Sequence, residues 1–220
     1  MADCSTALQR ILVVNPNTNV AVTDLIRTSM GHALPYGVAA DVVNPGCGPN
    51  IIESDTDKAY AETCVLDFLS ATDLTSYRAI VMACFDDLAL ERLRSQLSIP
   101  VVGTFESGLL SIRARANRIG ILTTFAGAIP GINILLDRYG GSGVICVRAA
   151  DIGVADAAST SATILYAIQH TAKDMIADAS IDGILLGSGG LTGRARELEK
   201  VCGIPVVSGV EAAVGIASVL

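Results

Sequence analysis

The chain has 220 residues, 51% of them hydrophobic but only 4% aromatic, so a core built from Val, Ile, Leu and Ala is expected. Its 15 basic and 22 acidic residues give a net charge of −7, and no Lys/Arg block occurs, which excludes a nucleic-acid backbone from the expected partners. No apolar run approaches the roughly 18 residues of a membrane span, and neither the polar start MADCSTALQR nor the final SVL reads as a targeting signal, so a cytoplasmic protein with no membrane partner is expected.

Residues 10–14 (RILVV) read as a buried strand, followed by the polar turn NPNTN. A helix is expected over 20–34, capped by Thr18 or Asn19, and a strand over 38–43. NPGCGPN (44–50) holds two Pro and two Gly and is read as a loop. Helical periodicity then covers 52–69, a strand 80–83, a helix 88–97, a short strand 101–102 and a helix 107–116. The pattern restarts with RIGILTT (118–124), a helix over 129–139, a GGSG turn and a strand over 144–147. A long helical stretch over 157–179, a strand at 184–186, a turn at 187–190 and a helix over 195–201 follow.

IPVVGTFESGLLSI (99–112) aligns with IPVVSGVEAAVGIA (204–217), and each follows a strand–turn–helix. Strands alternating with helices predict parallel βαβ units. The repeat predicts an α/β chain of two pseudo-symmetric lobes, each a parallel sheet flanked by helices. The first lobe is assigned residues 1–106 plus 208–220 and the second 107–207, with the active site in the cleft between them. Ligands of such sheets bind beyond the carboxyl ends of the strands. Four of those ends carry amides, hydroxyls or a thiol: 15–18, 84–87, 123–124 and 188–190.

Two of them stand out. Residues 80–88 (IVMACFDDL) place Cys84 at a strand end, and residues 184–191 (ILLGSGGL) place Ser188 at the equivalent point. A cysteine just before a helix N-terminus is expected to have a lowered pKa and to be a thiolate near neutral pH. Asp86 or Asp87 is expected to cap the helix that follows. The glycines around Ser188 permit close backbone approach, but the turn lacks a phosphate-loop lysine, and no GxGxxG opens the first unit, so nucleotide binding is not expected. The six cysteines show no CxxC or Cys/His metal spacing; most are expected as free thiols, Cys64, Cys146 and Cys202 as small buried residues, with Cys47 in the Pro/Gly loop left open. His32 and His170 lie in helical stretches away from strand ends and are not expected to be catalytic.

VNPNT (14–18), GPNIIES (48–54), ACFDDLAL (83–90), PVVGTFES (100–107), GILTT (120–124), LLGSGGL (185–191) and PVVSGVEAAV (205–214), in that order, resemble the aspartate/glutamate racemase superfamily, its hydantoin and allantoin racemase branch above all. The resemblance implies a cofactor-independent isomerase acting on a small molecule, with two cysteines working on opposite faces of one carbon. Cys84 matches the first cysteine. Ser188 stands where the second is found. Asn15, Thr123 and Thr124 match positions that bind polar groups of the substrate. Backbone around Phe85, Asp86, Gly189 and Gly190 would hold its carboxylate or carbonyls, and Pro49 lies in a loop bordering the pocket. A 5-substituted hydantoin or an allantoin-like ureide is the first substrate expected.

Serine is a far weaker acid than a thiol, so position 188 departs from the pattern. Three readings stay open at this point. In the first, Cys has been exchanged for Ser to inactivate the protein; in the second, the chain is a one-cysteine isomerase or decarboxylase; in the third, it is a catalytically dead binding protein. The malonate-type decarboxylase of the superfamily also keeps one active-site cysteine, though in its second lobe. High apolar content and low charge further predict a homo-oligomer.

Overall fold

The computed structural model describes residues 8–153 and 156–220. Cys4, expected as a free thiol, lies outside them. The elements run β1 (Gln9–Val14), α1 (Val20–Ala33), β2 (Val38–Val43), α2 (Asp55–Ser70), β3 (Tyr77–Met82), α3 (Leu90–Gln96), β4 (Val101–Gly103) and α4 (Thr104–Arg113). The second series is β5 (Ile119–Thr123), α5 (Ile129–Tyr139), β6 (Val144–Ala149), α6 (Ala162–Ala179), β7 (Gly183–Leu186), α7 (Ala195–Cys202), β8 (Val206–Ser208) and α8 (Gly209–Ala217).

Two parallel four-stranded sheets result, ordered β2-β1-β3-β4 and β6-β5-β7-β8. The same order in both halves bears out the expected duplication and the two-lobed α/β class. The inner strands β1, β3, β5 and β7 are packed from both faces, which is why they read as unbroken apolar runs. Val14 pairs with both Val43 and Met82, and Met82 with Gly103, so β1 and β3 end level and set Asn15 beside Ala83, one residue before Cys84. Leu122 pairs with Leu186 in the second sheet, which sets Thr123 beside Gly187, one residue before Ser188.

Helix starts follow local chemistry. Asn19 caps α1, accepting from the amides of Ala21 at 3.0 Å and Val22 at 3.4 Å. Ser54 and Asp57 form a reciprocal box at the start of α2. Several expected helices shift: the one over 52–69 begins at Asp55, and the one over 107–116 runs Thr104–Arg113. The stretch over 157–179 becomes a short 3-10 turn, Asp156–Ala158, and then α6, because Ser161 caps at that point. The helix expected from 88 starts only at Leu90, since Asp87 (φ 46°) and Ala89 (φ 59°) adopt left-handed backbone.

The two halves exchange their crossover helices: α4 packs on β7 and β8, whereas α8 packs on β3 and β4. They cross where a Cβ built on Gly108 would lie 3.1 Å from the Gly209 Cα. Among the described residues no helix is long and apolar enough to cross a membrane.

Candidate active site between the two lobes

The loops after β1, β3, β5 and β7 meet around one cavity. A Cβ on Gly187 would sit 3.2 Å from the Phe85 ring, and one on Gly189 would sit 3.6 Å from the Ala83 carbonyl oxygen. The Cys84 tip of one sheet therefore touches the Ser188 tip of the other. At Gly187, where a Cβ would also lie 3.0 Å from Ile121 Cγ2, glycine lets the tips close to that degree, whereas a Cβ at Gly189 would make ordinary contacts.

Cys84, Ser188, Asn15, Phe85, Asp86, Thr123, Thr124, Gly189 and Gly190 all line the cavity. Pro49 does not. Its carbonyl accepts from the Thr18 amide at 3.0 Å, tying its loop to the Asn15 turn, and Ile52 takes the wall position instead. The turn residues Pro16 and Asn17, together with Val22, Phe125 and Ala128, complete the wall. These apolar side chains carried no chemical signal in the sequence; only the meeting of the lobes marks them.

Asn15 is buried, its amide nitrogen donating to Asn17 Oδ1 at 2.9 Å and Thr23 Oγ1 at 3.0 Å. Those bonds fix the amide and leave its oxygen only a 3.4 Å contact with the Asn17 N–H. The Thr123 hydroxyl donates to the Gly187 carbonyl at 3.1 Å, so it fastens the second tip. Thr124 lines the cavity, and its hydroxyl has no protein partner among the described residues. The Ser188 hydroxyl oxygen accepts from the Gly190 amide at 3.3 Å, which leaves its proton available to a ligand. The amides of Phe85 and Gly189, one from each tip, have no acceptor among the described residues.

The expected low thiol pKa at Cys84 is corrected. The helix after it begins six residues later, at Leu90, so no helix N-terminus faces the sulfur. Burial pushes the thiol up to about 12, and the charges of Asp86 and Asp87 add to the rise. The Asp86 amide hydrogen bond and the Lys58 ammonium work the other way.

Neither acidic residue caps α3, as had been expected. Asp87 reaches across the chain and caps α4, accepting from the amides of Phe105 at 2.8 Å and Glu106 at 3.1 Å. Its pKa stands at about 6 because burial disfavours the charge more than these amides and the Tyr139 hydroxyl restore it. Asp86 pairs with Lys58, Nζ to Oδ1 at 2.7 Å. The other cysteines lie off the cavity wall: Cys64 is buried, Cys146 and Cys202 are half-buried, and Cys47 is exposed. His170 pairs with Asp174 at the surface.

Two parallel four-stranded lobes with a thiol and a hydroxyl at facing strand ends narrow the choice of family sharply. The family model for Asp/Glu/Hydantoin racemase matches residues 11–217. The chain belongs to that family.

Within it, the hydantoin and allantoin branch is the near one, and the enzyme class is that of a racemase, an isomerase. The chain is 27% identical to a hydantoin racemase of Paenarthrobacter aurescens over 96% of its own length and 90% of the relative's. It superposes on an allantoin racemase from Klebsiella pneumoniae with a TM-score of 0.92 and 29% identity, covering 96% of this chain and 87% of that one. For an allantoin racemase from Pseudomonas fluorescens the TM-score is 0.91 and the identity 28%, over 96% and 90% of the two chains.

Proposed function

We propose that the chain moves the proton on the acidic C–H carbon of a 5-substituted hydantoin or an allantoin-like ureide, with Cys84 as base on one face and position 188 on the other. The observation that carries this reading is the direct contact of the two tips around one cavity, with Cys84 and Ser188 on opposite lobes. Residues 1–106 with 208–220 act in this reading as one lobe and 107–207 as the other, joined by the crossing of α4 and α8.

The ring is held by the Asn15 oxygen and the Thr124 hydroxyl. The Cys84 thiolate takes the carbon-bound proton, and the electron pair moves onto the adjacent carbonyl as an enolate. The free amides of Phe85 and Gly189 donate to that oxygen, where charge develops in the transition state. Return of the proton from Cys84 regenerates the starting enantiomer; delivery from position 188 gives its mirror image.

Ser188 weights these two exits. Its hydroxyl is a far weaker acid than a thiol, and the alkoxide left behind after donation must be reprotonated from solvent. The chain therefore favours one-sided chemistry: exchange at the carbon runs faster than inversion. In deuterium oxide, the protein should label one enantiomer of a 5-substituted hydantoin or allantoin with retention. Ser188→Cys should convert labelling into racemisation, and Cys84→Ala should abolish both, as read by proton NMR and chiral chromatography. Absence of label from every ureide with both the protein and Ser188→Cys would refute the reading and leave a binding protein. Fast inversion by the unaltered chain would refute the role given to the serine.

A further inference from the structure

Lys58 belongs to none of the motifs that carry the family resemblance. It lies in the first turn of α2, far along the chain from Cys84, yet its ammonium is 2.7 Å from Asp86 Oδ1, two residues beyond the thiol. Both side chains are only about 30% exposed, at 29% and 31%. Water therefore screens the pair less than at an open surface. Burial is the strongest influence and works against the Lys58 charge, but the hydrogen bond Lys58 donates to Asp86, together with the charges of Asp86, Cys84 and Asp55, raises the Lys58 pKa overall.

The second lobe closes over this pair. A Cβ built on Gly131 would stand 3.1 Å from Lys58 Nζ and 3.3 Å from Asp86 Oδ1. Gly131 is the third residue of α5, which continues directly from a 3-10 turn, Ala126–Ala128, whose Ala126 carbonyl accepts from the Ile129 amide. The Asp86 carboxylate is thus enclosed by an ammonium from α2 and by the first turn of α5 from the opposite lobe. Asp87 follows in left-handed backbone and is anchored on α4 and on Tyr139 of α5, so the segment from 84 to 89 has little room to relax away.

Resting on the reading of Cys84 as the base, we propose that Lys58 is a positioning residue: with the start of α5 it clasps and neutralises Asp86, and so sets how readily the Cys84 thiol gives up its proton. The charged groups acting on the sulfur are Asp86 and Asp87, which oppose its ionisation, and Lys58, which favours it; Asp55 lies near Lys58 on the same turn. Removing the ammonium leaves a bare carboxylate beside the thiol. An opposite charge within about 4–6 Å lowers a carboxylate's pKa or raises an amine's by about 1–3 units, and Lys58, the weakest of the charges acting on the sulfur, is taken at the low end of that range. The thiolate fraction at fixed pH then falls about tenfold.

The thiol can be read without any substrate. Iodoacetamide alkylation of the Cys84 peptide, followed by mass spectrometry from pH 7 to 10, separates it from the exposed Cys47. Lys58→Met should slow alkylation about tenfold and displace the rate–pH line upward by about one pH unit. Lys58→Arg should stay near the unaltered protein. Asp86→Asn should displace the line downward, and adding Asp86→Asn to Lys58→Met should bring it back, which a packing role for Lys58 would not do. Gly131→Ala should move it upward by a smaller amount. In the exchange assay Lys58→Met should lower the rate constant with KM little changed. An unaltered alkylation line in Lys58→Met, or no recovery in the double variant, overturns the clasp. Because alkylation needs no turnover, a missing exchange activity would overturn the proposed function and leave this result standing on its own.

Discussion

Gly209→Ala should destabilise the protein, although alanine is the better helix former. Gly209 opens α8 at its closest approach to α4. The added methyl would lie 2.8 Å from Thr104 Cγ2, 2.9 Å from the Thr104 carbonyl oxygen and 3.4 Å from the Phe85 ring. Favourable contacts between such atoms lie near 3.5–4.0 Å, so the helices must part by roughly 0.5 Å or more. One of the obstructing atoms is backbone and cannot swing aside. Overpacking of this kind costs about 1–3 kcal/mol. Gly209 is the first residue of its helix, where the propensity gain of alanine is small. Taking about 2 kcal/mol, and roughly 2–4 °C per kcal/mol for a chain of this size, the melting temperature should drop by about 4–8 °C. Gly215 in the same helix is the control, because a Cβ there meets nothing within 4 Å. Gly215→Ala should raise stability by about 0.4–1 kcal/mol. Thermal melting of both variants, with urea denaturation as a check, tests the pair. Since the new methyl also meets Phe85, deuterium exchange into substrate should fall with stability in Gly209→Ala and stay intact in Gly215→Ala. A Gly209→Ala protein melting at or above the unaltered one would refute the close crossing of α4 and α8.

Two further outcomes follow from the loop after Cys84 and its support. The Asp87 carboxyl has an ordinary pKa of 3.8 raised to about 6, so the folded state binds its proton more tightly than the unfolded state does. Stability from this group is therefore present below pH 4 and is lost as pH rises to 6, by on the order of 3 kcal/mol. Asp87→Asn should remove that slope, seen as a difference between the two urea stability curves that changes between pH 4 and 6; parallel curves would contradict it. The buried Thr104 hydroxyl donates to the Met82 carbonyl at 2.6 Å, holding α4 against the end of β3. Thr104→Val, nearly the same in shape, should cost about 1 kcal/mol, a fall of about 2–4 °C in melting temperature. An unchanged melting temperature would show that this bond adds nothing.

The extent to which the chain could be read before its fold was known depends on how local each signal is. Alternating buried strands and periodic helices announced the α/β class. The two IPVV segments announced the duplication, because β4–α4 and β8–α8 are repeats of one local unit. Cys84 and Ser188 were legible for the same reason: each is the first polar residue after an apolar strand, and strand ends need no tertiary information to find. Asn19 was legible as a cap, since its side chain reaches only two and three residues ahead.

What failed were inferences that assumed local partners. Asp87 was expected to cap the next helix, but its left-handed backbone turns the carboxylate toward α4, and the following helix starts late. The thiol was expected to be acidified by that helix, yet burial between two lobes and two nearby carboxylates raise it. The loop holding Pro49 borders the cavity as expected, but it does so through Ile52, while the Pro49 carbonyl is engaged by the Thr18 amide. Lys58 and Gly131 carried no signal, since neither means anything until α2, the Cys84 loop and α5 converge. The sequence by itself determined the layers, the repeat and the polar residues at the strand ends, all matters of neighbours along the chain. Only the tertiary structure decided which charges surround the thiol and which glycines let the lobes close, because electrostatics and packing act between atoms near in space, however far apart their residues lie in the chain.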